Sequence, residues 1–298
     1  MEKNLTIIIL TYNSGHIIAE CLSRLNFDKY DVVVVDNASS DNSVETVTTN
    51  FPKAKIIKLG CNSGYSRGNN AALRQTNSEF SLILNPDSII KEEDIEIVLK
   101  KMISNNKIAS AGPLILSSYP INETEKALKL RDIKQNFSGQ IDATNNNILV
   151  NFISGSVLFL RMDILKKIGL FDENIFMFYE DDELSKRIIE NSYFNAIIAD
   201  AVAFHQEANS SRKSLFNLFK RNWHLKGWSK LYWKQINKGQ FRAKISAVKL
   251  VFTYFSLSLL KLTTFDREGF ISNLGACLGS ISFLAGLKAF KNNGEPRP

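Results

Sequence analysis

Short apolar runs alternate with amphipathic stretches through the first two hundred positions. Residues 5–10 form a β-branched run that Thr11-Tyr12-Asn13-Ser14-Gly15 interrupts, and residues 17–25 follow with helical spacing. A second apolar run, residues 31–35, ends at Asp36-Asn37. Residues 43–51 predict a helix, 54–59 a third strand, 68–76 a helix and 80–84 a fourth strand. Strands that are apolar throughout and alternate with helices predict a parallel sheet covered on both faces. In such sheets a ligand sits beyond the carboxyl ends of the strands. The polar residues gather there, at positions 11–13, 36–37, 62–70 and 85–87. Residues 117–147 are polar and weakly patterned and read as a loop or insertion, and residues 181–190 read as a helix with Leu184 and Ile188 facing inward.

The last third has a different pattern. Residues 250–260 carry no charge but are bracketed by Lys249 and Lys261, a length too short for the roughly 30 Å of bilayer hydrocarbon. Residues 269–287 are also uncharged and contain Gly275-Ala276-Cys277-Leu278-Gly279, a spacing of small residues that allows close helix packing. These stretches predict helices packed on the protein or lying in a membrane interface.

Composition adds an asymmetry of charge. The 298 residues carry a formal net charge of +7, yet residues 1–206 sum to −5 and residues 207–298 to +12. Between Arg212 and Lys261 there are twelve basic residues and no acidic one, together with Trp223, Trp228, Trp233 and Tyr232. Lysine interleaved with indole suits an anionic membrane surface; it also suits nucleic-acid phosphates or a solvated helical face. The cysteines, Cys21, Cys61 and Cys277, form no CxxC pair, which excludes a disulfide framework and favours a reducing cytoplasm. The apolar run near the N-terminus is too short for a signal peptide and reads as a strand. Neither a phosphate loop of the GxxxxGK[ST] type nor a GxGxxG turn is present, so a nicotinamide enzyme is not expected.

Taken in order, the strand followed by T-Y-N, then V-V-V-D-N-A-S-S-D, N-S-G-Y-S-R-G-N-N and L-N-P-D, resembles family 2 glycosyltransferases. The later segments G-S-V-L-F-L-R, F-M-F-Y-E-D-D-E-L and A-F-H-Q-E-A-N-S-S are similar to the rhamnosyltransferase-like branch that builds bacterial surface polysaccharides. The resemblance covers about residues 4–225. It implies an α/β GT-A fold: a Rossmann-like, mostly parallel sheet with helices on both faces, followed by a C-terminal helical extension. Residues 1–211 would be the catalytic domain, with a nucleotide half to about residue 90 and an acceptor half from 91. Residues 212–298 would be a basic, aromatic, membrane-surface region.

The implied chemistry is inverting transfer of a sugar from a nucleoside diphosphate to a hydroxyl. Asp87 stands where the family places a metal-binding acid, and Asn85 replaces the first acid of the usual D-x-D, leaving Asp87 the main ligand of Mg²⁺ or Mn²⁺. His205 completes the metal site or is a hydrogen-bonded structural residue. Asp181, in the E-D-x-x-L match beside Glu180, is the implied general base; four successive acids also suit the first turn of a helix. Thr11, Tyr12, Asn13, Asp36 and Asn37 line the donor pocket, with Asp36 alternatively a turn cap. Gly64, Arg67, Asn69 and Asn70 belong to a phosphate-binding segment in which Asn69 and Asn70 open a helix, while Arg67 meets phosphate or solvent. Arg221 falls in a loosely matching segment that closes over donor or acceptor.

The expected reaction moves a deoxyhexose, rhamnose from dTDP-rhamnose, onto a polyprenyl-diphosphate-linked saccharide for O-antigen or another surface polysaccharide. The expected location is cytoplasmic, peripheral on the inner face of the cell membrane, with no nucleic-acid partner. A UDP-hexose or UDP-N-acetylhexosamine donor, a basic nucleic-acid-binding protein and a non-catalytic sugar-nucleotide sensor are the alternatives.

Overall fold

A computed structural model of the chain describes residues 3–117, 123–136, 141–142, 147–205, 214–291 and 293–298. In chain order the elements are β1 (Leu5–Thr11), α1 (Ile18–Ser23), β2 (Asp31–Asp36), α2 (Ser43–Asn50), β3 (Lys55–Lys58), α3 (Gly64–Leu73), β4 (Phe80–Leu84), β5 (Ser88–Ile90), α4 (Glu92–Ser104) and β6 (Ile108–Leu116). They continue with α5 (Glu123–Asn136), β7 (Ile141–Asp142), β8 (Asn147–Val150), β9 (Val157–Arg161), α6 (Met162–Ile168), α7 (Glu180–Glu190) and β10 (Phe194–His205). The helices α8 (Leu215–Asn222), α9 (Ser229–Lys238), α10 (Gln240–Thr263) and α11 (Arg267–Leu284) follow, with a π-helical turn, Trp223–Trp228, between α8 and α9. The chain divides into two compact units. The first comprises Met1–Gly60, Gly68–Phe171 and Asp181–Ser210; the second comprises Cys61–Arg67, Asp172–Glu180 and Ser211–Pro298.

The first unit is built on one sheet in the order β3-β2-β1-β4-β9-β6-β10-β8-β7, with β5 paired to the end of β10. Strands β1, β2, β3 and β4 are parallel, and the apolar runs of β1, β2 and β4 suit burial on both faces. Strand β3, at the edge, is bounded by Lys55 and Lys58, whose charges suit an exposed edge. Beyond β4 the sheet becomes mixed, because β9 runs antiparallel to both β4 and β6. A shift of register in β10 between Ile198 and Val202 frees the Val202 amide, which donates to Asp94 Oδ1 at 2.9 Å. After that bulge the last three residues of β10 pair with β5, and His205 stands opposite Ser88. The polar stretch read as a loop contains α5, whose sequence has little amphipathic signal, and the short pair β7–β8; residues 118–122, 137–140 and 143–146 of it lie outside the described residues.

The second unit encloses its own apolar cluster of Phe176, Trp223, Trp228, Leu231, Phe283 and Phe290. A Cβ on Gly279 would come within 2.2 Å of the Trp223 carbonyl oxygen, and one on Gly275 within 2.4 Å of that of Phe219. The small-residue spacing in α11 therefore serves close approach to α8 and the π-helical turn. Trp223 and Trp228 are buried at 2% and 3% exposure, so two of the three tryptophans that the sequence assigns to a membrane surface belong to a core instead. Indole area is large, and stacking Trp228 on Tyr232 at 5.0 Å between centroids removes it from water more completely than a bilayer interface does.

One buried cation holds the back of the sheet together. The Arg161 guanidinium donates to the carbonyls of Ile108, Met102 and Asn105, pairs with Glu79 at 3.2 Å and lies over the Phe80 ring. Replacing it takes this donor from the Ile108 carbonyl and a second donor from the Met102 and Asn105 carbonyls, which keep the Asn105 and Ile108 amides, while the half-exposed Glu79 turns to water. Arg161→Met is expected to lower stability by about 3 kcal/mol, read as a lower urea midpoint with unchanged slope.

Candidate functional site

In the first unit the carboxyl ends of β1 and β2 are tied into a rigid shelf. The Asn37 amide donates to the Thr11 carbonyl at 2.9 Å. Asn13, at φ 56°, takes a left-handed conformation that Asn tolerates, and its Oδ1 accepts from the Ser40 amide at 2.8 Å. The Asn13 amide in turn donates to Ser39 Oγ at 2.9 Å, and Asp36 Oδ1 accepts from the Ser39 amide at 3.1 Å. Asp36 thus has the turn-capping contact that its sequence permits, in a buried position, beside a buried Thr11 whose Oγ1 has no hydrogen-bond partner among the described residues. Tyr12 projects outward at 41% exposure.

At the end of β4 the Asn85 amide donates to the Ser156 carbonyl at 2.9 Å, and the chain turns so that Asp87 precedes β5. Pairing of β5 with β10 sets His205 beside it: His205 Nε2 lies 3.2 Å from Asp87 Oδ1. The Asp87 side chain is 2% exposed, and among the described residues its Oδ1 accepts no hydrogen bond, the His205 ring lying close without donating to it. A buried carboxylate oxygen without a donor is costly unless a cation reaches it. One carboxylate and one imidazole are oxygen and nitrogen donors that fit a Mn²⁺- or Mg²⁺-like ion whose other positions hold water and phosphate oxygens. Among the described residues no group of three or more His, Cys, Asp or Glu side chains is placed to enclose a metal, so a diphosphate would have to complete this one. Cys21 lies below; burial first, then the Asp87 charge, pushes its thiol up to about 12, so it stays protonated.

Asp181 occupies the first turn of α7. Its Oδ2 accepts from the Gly155 amide at 3.0 Å and its Oδ1 from the Asp182 amide at 3.1 Å. Burial raises its pKa above the usual carboxylate range, and these amides pull against that rise. Residues 154–156 consequently hold both Asn85 and Asp181. Sequence reading assigns no role to Gly155; the only trace of one is a Gly-Ser pair ahead of the apolar β9. Helix α3 starts at Gly64, earlier than expected, and Asn69 and Asn70 lie inside it rather than opening it. Asn70 brackets the Phe171 backbone, donating to its carbonyl at 2.9 Å and accepting from its amide at 3.2 Å.

In the second unit the Tyr65 amide donates to the Phe176 carbonyl at 2.8 Å, and Gly64, at φ 79°, has no room for a Cβ, which would meet that same oxygen at 2.2 Å. The Arg67 guanidinium lies 3.4 Å from the Phe290 ring centroid, and its Nε donates to the Glu173 carbonyl at 3.1 Å. Glu180 is buried, and Arg221 stands 5.8 Å from the Phe178 ring centroid. Phe178 and Tyr179, directly before Glu180, both have positive φ, at 66° and 72°.

A model of the family described as glycosyl transferase family 2 matches residues 6–169. The chain is 32% identical over 195 residues to the low-salt glycan biosynthesis hexosyltransferase Agl10 of Haloferax volcanii, covering 63% of this chain and 62% of that protein. It is 23% identical over 242 residues to the N-acetylglucosaminyl-diphospho-decaprenol L-rhamnosyltransferase of Mycobacterium tuberculosis, covering 71% of this chain and 78% of that one. Among solved structures it is similar to the mannosyltransferase PcManGT from Pyrobaculum calidifontis in complex with GDP-Man and Mn²⁺, with TM-score 0.59, 18% identity, and 93% and 87% of the two chains covered. That likeness concerns the fold, which is GT-A. With more than half its length matched by the family model, this chain belongs to glycosyl transferase family 2.

Proposed function

We propose that the protein is an inverting glycosyltransferase that moves rhamnose from dTDP-rhamnose to a hydroxyl of a polyprenyl-diphosphate-linked saccharide in surface-polysaccharide synthesis. The observation that carries this reading is the closeness of Asp87 and His205, in the same unit as a half-buried Asp181 held by the Gly155 amide. Rhamnose rests on the motif resemblance and on the relative named for L-rhamnosyl transfer. The basic C-terminal region keeps the enzyme on the inner face of the membrane, where a lipid-linked acceptor resides.

In this mechanism Thr11, Asp36 and Asn37 line the base and ribose end of the donor. Asp87 and His205 would hold the divalent ion. When bound, that ion neutralises charge on the leaving diphosphate. Asp181 accepts the proton of the acceptor hydroxyl as its oxygen attacks the anomeric carbon, and the nucleoside diphosphate leaves from the opposite face. The two amides on Asp181 fix its carboxylate plane, so the oxygens stay oriented toward the acceptor proton.

Three outcomes follow. Thermal melting with dTDP, UDP and GDP, each with and without Mn²⁺ or Mg²⁺, is expected to show a metal-dependent rise of several degrees with dTDP; ligand at a hundred times Kd adds about 2.7 kcal/mol. A rise with UDP instead reassigns the sugar, and none with any diphosphate removes the transferase reading. Asp181→Asn is expected to reduce transfer at least about a hundredfold while keeping the dTDP-induced melting shift, since the base acts only in the chemical step. Turnover at the wild-type rate would take Asp181 out of the mechanism.

The neighbour Asp182 supplies the third. Burial first, then the Asp181 charge, pushes its carboxyl up to about 6. The folded chain binds that proton more tightly than the unfolded one, so its contribution to stability is full below the usual carboxylate range and is lost as pH rises through about 6. Asp182→Asn is therefore expected to raise Tm at about pH 8 and to leave it unchanged at about pH 4.

A further inference from the structure

Helix α10 turns only a narrow face inward, at Ala243, Ala247 and Ser258. Its outer face carries Phe241, Ile245, Val248, Phe252, Phe255 and Leu259 at alternating spacings of four and three, which places them in one stripe along the helix. All six are exposed, Phe241 and Phe252 at 77% and 69%. Phe265, just past the helix, is 94% exposed. A continuous apolar stripe of this kind facing water marks a surface that is covered in use.

Charge selects what covers it. Arg242, Lys244 and Lys249 flank the first half of the stripe, and neither α9 nor α10 contains an acidic residue. A parallel pair of α10 helices would oppose like charges; an antiparallel pair would set them against an uncharged half. Neither arrangement gives the lysines a partner. Beside the start of the stripe, Lys234, Lys238 and Arg242 share a cleft of about 350 Å³ with Ile245 and Ser246. Three cations over a small cleft, next to a phenylalanine-rich stripe, match anionic headgroups above an acyl boundary.

Among the described residues α10 is the one helix long and apolar enough, by length and composition, to cross a membrane. Crossing would carry Lys249, with Lys244 or Lys261, into hydrocarbon and strip Ala247 from the core of its own unit. We infer that α10 lies flat in the surface of an anionic bilayer, its Phe and Leu stripe buried among the lipids and the cleft at Lys234, Lys238 and Arg242 seated on headgroup phosphates. This deepens the membrane-surface location proposed above and is independent of the donor.

The test is flotation of the full chain with vesicles of phosphatidylcholine, with and without phosphatidylglycerol, beside the variant Phe252→Ser/Phe255→Ser/Leu259→Ser. The wild type is expected to float with the anionic vesicles, less so as salt rises, and the variant to bind at least about tenfold more weakly at unchanged Tm. Phe252→Cys labelled with an environment-sensitive fluorophore, in a chain whose exposed Cys61 is replaced by Ser, is expected to shift to the blue on anionic vesicles, which keeps the question decidable should the triple variant unfold. Equal flotation of wild type and variant, with no blue shift, would leave the membrane location standing and remove α10 from it. Wild type that does not float would overturn both, while donor-induced melting would still report on the transferase reading. A wild-type dimer split by the variant, with flotation unaltered, would give the stripe to a second copy of the chain and overturn the inference.

Discussion

Carboxylates are drawn out of water where the strands of the first unit end, Asp36 and Asp87 buried and Asp181 half-buried in the first turn of α7, and much of that unit is arranged around the cost. An ionised carboxylate taken out of water must find donors, find a cation or take up a proton. Asp181 finds donors, the amides of Gly155 and Asp182. Asp87 has the His205 ring 3.2 Å from its Oδ1, and among the described residues that oxygen accepts no hydrogen bond. The direction of β9 makes the first solution available. Because β9 runs antiparallel to β4, the loop that enters it lies at the edge where β4 ends. A parallel strand there would have presented its exit instead. The same reversal lets the Ser156 carbonyl receive the Asn85 amide, so one short loop sets the positions of both acid-bearing segments.

The parts of this arrangement that sequence reading recovers are those governed by burial alone. Strands β1, β2 and β4 come out within a residue of their bounds because they are covered on both faces and their interiors are almost wholly apolar, Thr6 and Ser81 being the small exceptions. Helix α3 does not, because its start depends on Gly64 adopting a positive φ beneath the Phe176 carbonyl, a tertiary fact with no periodicity. Asn69 and Asn70 are then displaced from a helix opening to a helix interior. The segment containing α5 was unreadable for the opposite reason: its apolar residues do not form a stripe. The neighbourhood of Asp87 and His205 depends on a bulge in β10 and on a three-residue strand, β5, neither of which leaves a pattern in the sequence. Only the ordered motifs of a related family point to both residues at once.

Charge and aromatic content mislead in a specific way in the second unit. Basic residues and tryptophans are interleaved along the chain, but the fold separates them. Trp223, His224 and Trp228 go to the interior, where burial first and the Lys220 charge next lower the His224 pKa to about 3 and keep the ring neutral. Lys220 itself lies 4.4 Å from the Phe176 ring centroid, and burial lowers its own pKa. The residues left outside are phenylalanine and leucine on α10, at spacings visible in the sequence but indistinguishable there from a core-facing stripe. Which of two amphipathic faces meets solvent is decided by packing, here by the alanines that seat α10 in its unit.

The remaining irregularity lies just ahead of the acidic turn of α7. Phe178 and Tyr179 are successive non-glycine residues with positive φ, each costing about 1–3 kcal/mol. Neither is Asn or Asp, so no local side-chain hydrogen bond offsets the strain. It is held instead by contacts within the second unit: the Arg221 cation 5.8 Å from the Phe178 ring, and the Tyr179 hydroxyl donating to the Leu225 carbonyl at 3.3 Å. Both anchors come from the α8 and π-helical segment. A helix that began with ordinary backbone would have its acids placed by propensity alone. Here the backbone ahead of α7 is imposed from outside the helix, so Glu180 stands where the contacts of the second unit put it, and the strain is the cost of that placement.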